Sequence, residues 1–195
     1  MRRLICLVFV ITILLIGMPG KSYCYAADST REPNDPKYEL EWDYFTHTHF
    51  RDRYIDTVSV HMLENISQTN NRSVYRGITV TRPYGYLNDD DRNQKGCSAL
   101  GIGPVYMIRN ERHVSGKLYE AIDMSGGFII YDKIFPAGGR YFNFMWRIGP
   151  QFIYKISKNS SVNVGYMFMH ISNGFRSHNP SYNAHGYTLG FTRNF

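Results

Sequence analysis

The feature that most constrains this chain is a period of two that recurs from residue 38 to the end. In RYFNFMWRIGPQFIY, Phe142, Phe144, Trp146, Ile148, Phe152 and Tyr154 alternate with Tyr141, Asn143, Arg147, Gly149 and Gln151. A helix would scatter those aromatic residues around its axis, whereas an extended chain puts them all on one face. The stretch is therefore read as a strand with one greasy side and one hydrogen-bonding side.

The same parity returns along the sequence. Tyr38, Leu40, Trp42 and Tyr44 alternate with Glu39, Glu41 and Asp43, and Val58, Val60 and Met62 with Thr57, Ser59 and His61. Further sets are Val74, Ile78 and Val80; Leu100, Ile102, Tyr106 and Ile108; Leu118, Ile122, Met124, Phe128 and Ile130; Val162, Val164, Tyr166 and Phe168; and Tyr187, Leu189, Phe191 and Phe195. Arg76 and Glu120 interrupt the apolar set. Polar, turn-rich segments separate these runs: 64–72, 86–96 with its three aspartates, 110–117, FPAGG, KNSS and SNGFRSHNPSYN. The pattern predicts eight strands.

Residues 1–27 stand apart. Arg2 and Arg3 precede an apolar run from Leu4 to Ile16, and small residues follow near Ala26 and Ala27. That is the layout of a secretory signal peptide, and thirteen apolar residues fall short of the roughly 20 that a spanning helix needs. Residues 28–37, with two prolines, read as a mobile lead-in to a single domain at 38–195. Removing the first 27 residues takes away three basic and no acidic groups, so the net charge falls from +6 to +3. So weak and scattered a balance gives no footprint for nucleic acid. Cys97 remains alone, no Cys/His spacing marks a metal site, and no cofactor is expected.

Two β architectures compete for such a pattern. A soluble barrel buries its apolar face and shows charge to water. Here the polar set is rich in Gly, Thr, Ser and Asn with a few ions, which suits a narrow lumen where Glu39, Glu41 and Asp43 can pair with Arg147. The opposing set is large, aromatic and nearly free of charge, as a lipid-facing surface requires, since a mid-bilayer cation costs about 2–4 kcal/mol. The expected fold is all-β: an eight-stranded, antiparallel, up-and-down transmembrane β-barrel of the Gram-negative outer membrane. Tyr187, Leu189, Phe191 and Phe195 resemble the terminal signature read by the outer-membrane assembly machinery, with Phe195 as its last residue.

One run breaks the logic of a greasy face. His170 and Ser172 share parity with Val162, Val164, Tyr166 and Phe168, so both face outward, where polar groups are costly. With both termini periplasmic, the seventh strand carries this pair toward the outer leaflet. Side chains at i and i+2 are about 6.5–7 Å apart along a strand, so an imidazole there can take the proton of the serine hydroxyl as it attacks an ester. The pair alone is equally compatible with an interfacial His and Ser bound to water and headgroups on a non-catalytic barrel that acts through its surface loops.

The stretch His170-Ile171-Ser172-Asn173-Gly174, with Asn179-Pro180 and Asn183 downstream, resembles the lipid A 3-O-deacylase (PagL) family of outer-membrane barrels, also described as acyloxyacyl hydrolases. The resemblance is sharpest over 170–195. It implies a serine esterase that removes a 3-hydroxyacyl chain, at the 3-position, from the lipid A of lipopolysaccharide. Ser172 then matches the nucleophile and His170 the general base. Asn179 matches an asparagine that helps stabilise the oxyanion, with a backbone N–H near Gly174 as a second donor, and Asn173 and Arg176 as further oxyanion- or substrate-binding candidates. The family's usual acidic member falls on Asn183, which implies reduced activity. Arg176 and Arg193 are candidate contacts for lipid A phosphates, and His178 and His185 are read as headgroup-level residues. An exposed active face also leaves room for a homodimer.

Overall fold

The computed structural model describes residues 37–48, 52–88, 94–174 and 179–194. Residues 1–27, read as a signal peptide, the segment read as a lead-in up to residue 36, the three aspartates, Arg176, His178 and Phe195 lie outside the described residues. Within them the chain forms strands β1 (Lys37–His47), β2 (Arg53–Gln68), β3 (Arg72–Asn88), β4 (Gln94–Ser98), β5 (Gly101–Ser115), β6 (Leu118–Phe135), β7 (Arg140–Lys155), β8 (Ser160–Ser172) and β9 (Tyr182–Asn194).

Every neighbouring pair is antiparallel, and the order β2-β1-β9-β8-β7-β6-β5-β3 closes on itself through β2–β3. Closure gives each of these eight strands two hydrogen-bonded neighbours, so their backbone groups find partners without water. β4 and β5 share one partner: β3 pairs with β4 over Tyr84–Asn88 and with β5 over Arg72–Thr81. The two are one barrel strand broken at Ala99 and Leu100, and the barrel has eight strands, as the periodicity predicts.

The faces also fall as the parity predicts. Tyr38, Leu40, Trp42, Tyr44, Ile102, Ile130, Phe152 and Leu189 are exposed, while Glu39, Glu41, Asp43, Ser59, His61, Asn143 and Arg147 are buried in the lumen. The two interruptions of the apolar face have cross-strand partners. Arg76 lies directly opposite Glu64, with Nε 2.9 Å from its carboxylate, and Arg112 opposite Glu120, with which it forms an ion pair.

Two expectations need correction. Several strands run past the segments read as turns: β2 extends to Gln68, β3 to Asn88 and β5 to Ser115. Alternation is weak there, where polar residues interleave with Ile66, Leu87 and Val114, but the hairpin hydrogen bonds continue. The lumen is also not polar throughout. Toward the end opposite Lys37 and Asn194 it is packed with Phe45, Ile55, Ile129, Tyr131, Phe135, Met145, Met169, Ile171 and Tyr182, which form part of one buried cluster. Phe135 sits edge-on to Tyr182, with ring centroids 5.8 Å apart.

Nearer the termini the lumen is ionic. Arg109 donates to both Glu39 oxygens at 2.8 Å and to both Asp123 oxygens at 2.8 and 2.7 Å. Arg147 reaches Glu41 at 2.9 Å and also bonds Asp43 and, at 3.0 Å, the Ser125 hydroxyl. Such charges persist in a dry interior only when paired and saturated with hydrogen bonds. Thr188 and Thr192, each 3.0 Å from Glu41 and Glu39 respectively, complete the arrangement.

Candidate active site

β8 and β9 bring the predicted residues together at the barrel end opposite Lys37 and Asn194. The register puts His170 directly across from Asn183, and across-strand pairs have Cβ atoms about 4.5–5.5 Å apart, so their side chains must meet. They do so at 2.6 Å, His170 Nδ1 to Asn183 Oδ1. Because an amide oxygen only accepts, Nδ1 carries the proton and Nε2 keeps its lone pair. On the other side β7 places Trp146 opposite His170 and Phe144 opposite Ser172. The Trp146 ring is tilted against the imidazole at 5.7 Å, a wall that limits its rotation.

Ser172 is the last residue of β8, partly exposed on the same face as His170. Among the described residues no hydrogen bond joins its hydroxyl to the imidazole; catalytic hydrogen bonds often tighten only in the substrate complex. Met169 and Ile171, on the opposite face of the same strand, are buried in the apolar half of the lumen. That packing fixes the end of β8 from behind.

Asn179 links back to the residues that follow Ser172. Asn179 Oδ1 accepts the Asn173 backbone N–H at 3.1 Å, and its Nδ2 donates to the Gly174 carbonyl at 2.9 Å. Gly174 has a φ of 80°, a conformation that costs other residues energy, and a Cβ there would meet Phe144 at 3.2 Å. Asn173 is buried. Arg176 lies outside the described residues. Arg193 does not belong to this cluster: it pairs with Ser160 and Tyr38 at the other end of the barrel. His185 hydrogen-bonds the Tyr166 hydroxyl, one ladder step below His170.

Folding does assemble one group of ligand-type side chains that spacing in the chain conceals. Glu41, Asp43 and His61 bring donor atoms within 4.8 Å of one another in the lumen. Arg147 donates to both acids there, while His61 uses Nε2 on Asp43 at 2.9 Å and Nδ1 on Thr79 at 2.7 Å. The guanidinium already occupies the place of a cation, so the cluster is an internal brace.

Sequence reasoning missed Trp146 as the wall of the site and three residues of the β1–β2 connection. Thr48 donates its N–H and hydroxyl to the Asn183 carbonyl at 3.2 and 3.4 Å, His47 pairs with Asp56 at 2.7 Å, and Arg53 reaches Ser181 at 3.4 Å. Only a hydrophobic-to-polar break after Phe45 hinted that the connection belonged to the site.

A closed, antiparallel, eight-stranded barrel with a largely aromatic and aliphatic exterior defines the class of outer-membrane β-barrels. The family model for lipid A 3-O-deacylase (PagL) matches residues 36–192, and the chain belongs to that family. Its activity is the hydrolysis of an ester of lipid A. Among solved structures, one described as the crystal structure of the outer membrane enzyme PagL is similar with a TM-score of 0.50 and 15% identity, covering 80% of this chain and 99% of that one. No curated protein sequence matches.

Proposed function

We propose that this chain is an outer-membrane serine esterase that removes the 3-hydroxyacyl chain from the 3-position of lipid A, with Ser172 as nucleophile and His170 as base. The observation that carries this reading is the His170–Asn183 contact, which fixes the imidazole tautomer two residues from a serine on the same outward face. His170, Ser172 and Asn183 gather polar groups on a face made mostly of aromatic and aliphatic side chains, where polar groups are costly.

In the first half-reaction Ser172 Oγ attacks the ester carbonyl while His170 Nε2 takes its proton. The tetrahedral intermediate collapses, the sugar oxygen leaves, and His170 returns the proton to it. Water, activated by the same nitrogen, then hydrolyses the acyl-serine and releases a 3-hydroxy fatty acid and lipid A with a free hydroxyl. Asn179 Nδ2 and the Gly174 N–H are the donors we assign to the oxyanion; Asn179 must then exchange its bond to the Gly174 carbonyl for one to the substrate. Asn183 orients the imidazole without supplying a charge, so the imidazolium is less stabilised than with a carboxylate and turnover is correspondingly slower.

In this reading the rim bearing His170 faces the outer leaflet, where lipid A resides. The test is release of 3-hydroxy fatty acid from lipid A by the purified chain in detergent. Release that disappears in Ser172→Ala and His170→Ala, both still heat-modifiable barrels, supports the mechanism. Equal release by Ser172→Ala would move the nucleophile elsewhere.

A further inference from the structure

Going from the His170 rim toward the end that bears Lys37 and Asn194, the outward face of β8 and β9 carries three successive ladder pairs. His170 lies opposite Asn183, Phe168 opposite His185, and Tyr166 opposite Tyr187. Beyond them the face continues as Val164 with Leu189 and Val162 with Phe191, whose side chains have no polar atom. His185 is thus a second imidazole, two residues from Asn183 and set where the hydrocarbon face begins. Tyr166 hydrogen-bonds its Nδ1, and the two rings are tilted against each other at 5.6 Å. Tyr187 stands edge-on to Tyr166 at 5.3 Å, and the Thr46 hydroxyl donates to the His185 carbonyl at 3.3 Å. The ring is held in place through Nδ1, and among the described residues no group bonds Nε2.

A polar atom that meets hydrocarbon without a partner is costly, so the position favours a ligand that supplies one. If the Tyr166 hydroxyl donates to Nδ1, Nε2 carries a proton and donates; if Nδ1 carries the proton, Nε2 accepts. A hydroxyl both donates and accepts, so it satisfies either tautomer. A methylene satisfies neither.

In the esterase reading, on which this inference rests, the ester lies at Ser172 and His170 and its acyl chain runs from the rim toward the hydrocarbon. Trp146 walls off the β7 side, with its ring 5.7 Å from His170 and 5.5 Å from Phe168, so the β9 side with His185 is the open course. The hydroxyl of a 3-hydroxyacyl chain stands about 3–4 Å from the ester carbon, and one hydrogen bond extends its reach to about 6 Å. Two residues along a strand span about 6.5–7 Å, the step from Asn183 to His185. Chain hydroxyl and imidazole therefore fall at the same level.

We infer that His185, anchored by Tyr166, is a specificity-determining residue that hydrogen-bonds the hydroxyl of the acyl chain and so selects hydroxylated over plain fatty acyl esters. It takes no part in proton transfer at Ser172.

The experiment compares two synthetic lipid A molecules that differ only in the chain at the 3-position, one 3-hydroxyacyl and one the plain acyl chain of equal length. The full chain in detergent should favour the hydroxylated lipid by about tenfold in kcat/KM, the weight of one hydrogen bond. That ratio should fall to about twofold or less in His185→Phe and stay at several-fold in His185→Gln, whose amide keeps a donor and an acceptor. Tyr166→Phe, which removes the anchor of the ring, should lower it about threefold and decides the matter if His185→Phe is not a heat-modifiable barrel. A merely structural role would slow both lipids alike. A ratio near one in the unaltered chain, or one preserved in the His185→Phe or Tyr166→Phe barrel, overturns the proposal. Binding of the same two lipids to the Ser172→Ala chain in nanodiscs separates the two readings. Hydroxyl preference in binding without hydrolysis by the unaltered chain would sink the esterase and leave the His185 site standing. Hydrolysis without hydroxyl preference would do the reverse.

Discussion

Asn183 accepts a hydrogen bond from His170 at 2.6 Å, from the position directly across the β8–β9 ladder. The contact is a consequence of register: a slip of one residue would turn Asn183 into the lumen and leave the imidazole facing lipid without a partner. In the proposed mechanism, the role that the family resemblance gives to an acidic residue falls to this neutral amide.

Replacing Asn183 by Glu should raise kcat, by about tenfold or more, because a carboxylate stabilises the imidazolium. Asn183→Leu should lower it by about 10- to 100-fold through loss of orientation. Steady-state rates on lipid A in detergent check both, and equal rates for all three chains would remove Asn183 from the mechanism.

Asn179→Ala should cost about 100-fold in kcat, the usual loss for an oxyanion donor, with little change in KM. The same substitution frees the Asn173 N–H and the Gly174 carbonyl, which Asn179 now bridges. A loss confined to KM would make Asn179 a loop clamp only.

Gly174→Ala tests the turn independently. The φ of 80° and the 3.2 Å approach to Phe144 make it a strained substitution, costing about 1 kcal/mol or more. Hydrolysis should fall several-fold while urea unfolding of the barrel shifts by no more than this local strain.

Arg147→Met addresses the lumen. It leaves Glu41 and Asp43, both fully buried, without their shared cation, and removing one member of a buried pair costs about 3–5 kcal/mol. Urea unfolding in detergent micelles should show that loss, and adding Glu41→Gln with Asp43→Asn should recover much of it. An unchanged unfolding midpoint in the single variant would show that the network contributes little.

Much of this molecule is legible in one strand at a time. β7 shows why: its outward side chains are mostly aromatic and its inward ones include Asn143, Arg147, Gly149 and Gln151, so parity separates lipid from lumen without knowledge of any neighbour. Arg76 looked like an error in that pattern until β2 placed Glu64 beside it. The apolar half of the lumen was hidden for a related reason, because Met145, Met169 and Ile171 occupy inward positions in runs whose outward residues are also apolar. His170, Ser172 and Asn183 were readable from parity and motif together. Arg53 was not, because its approach to Ser181 depends on where β1 ends and β2 begins, and Trp146 passed for one more lipid-facing aromatic.

The central claim is that Ser172 and His170 deacylate lipid A in the membrane. Mass spectrometry of lipid A from Gram-negative cells expressing the full chain, beside the Ser172→Ala and His170→Ala chains at equal barrel levels, tests it most directly. The account predicts a loss equal to one 3-hydroxyacyl group in cells with the unaltered chain and in neither control. Lipid A of unchanged mass around a correctly inserted, unaltered barrel, or the same loss with Ser172→Ala, would contradict it.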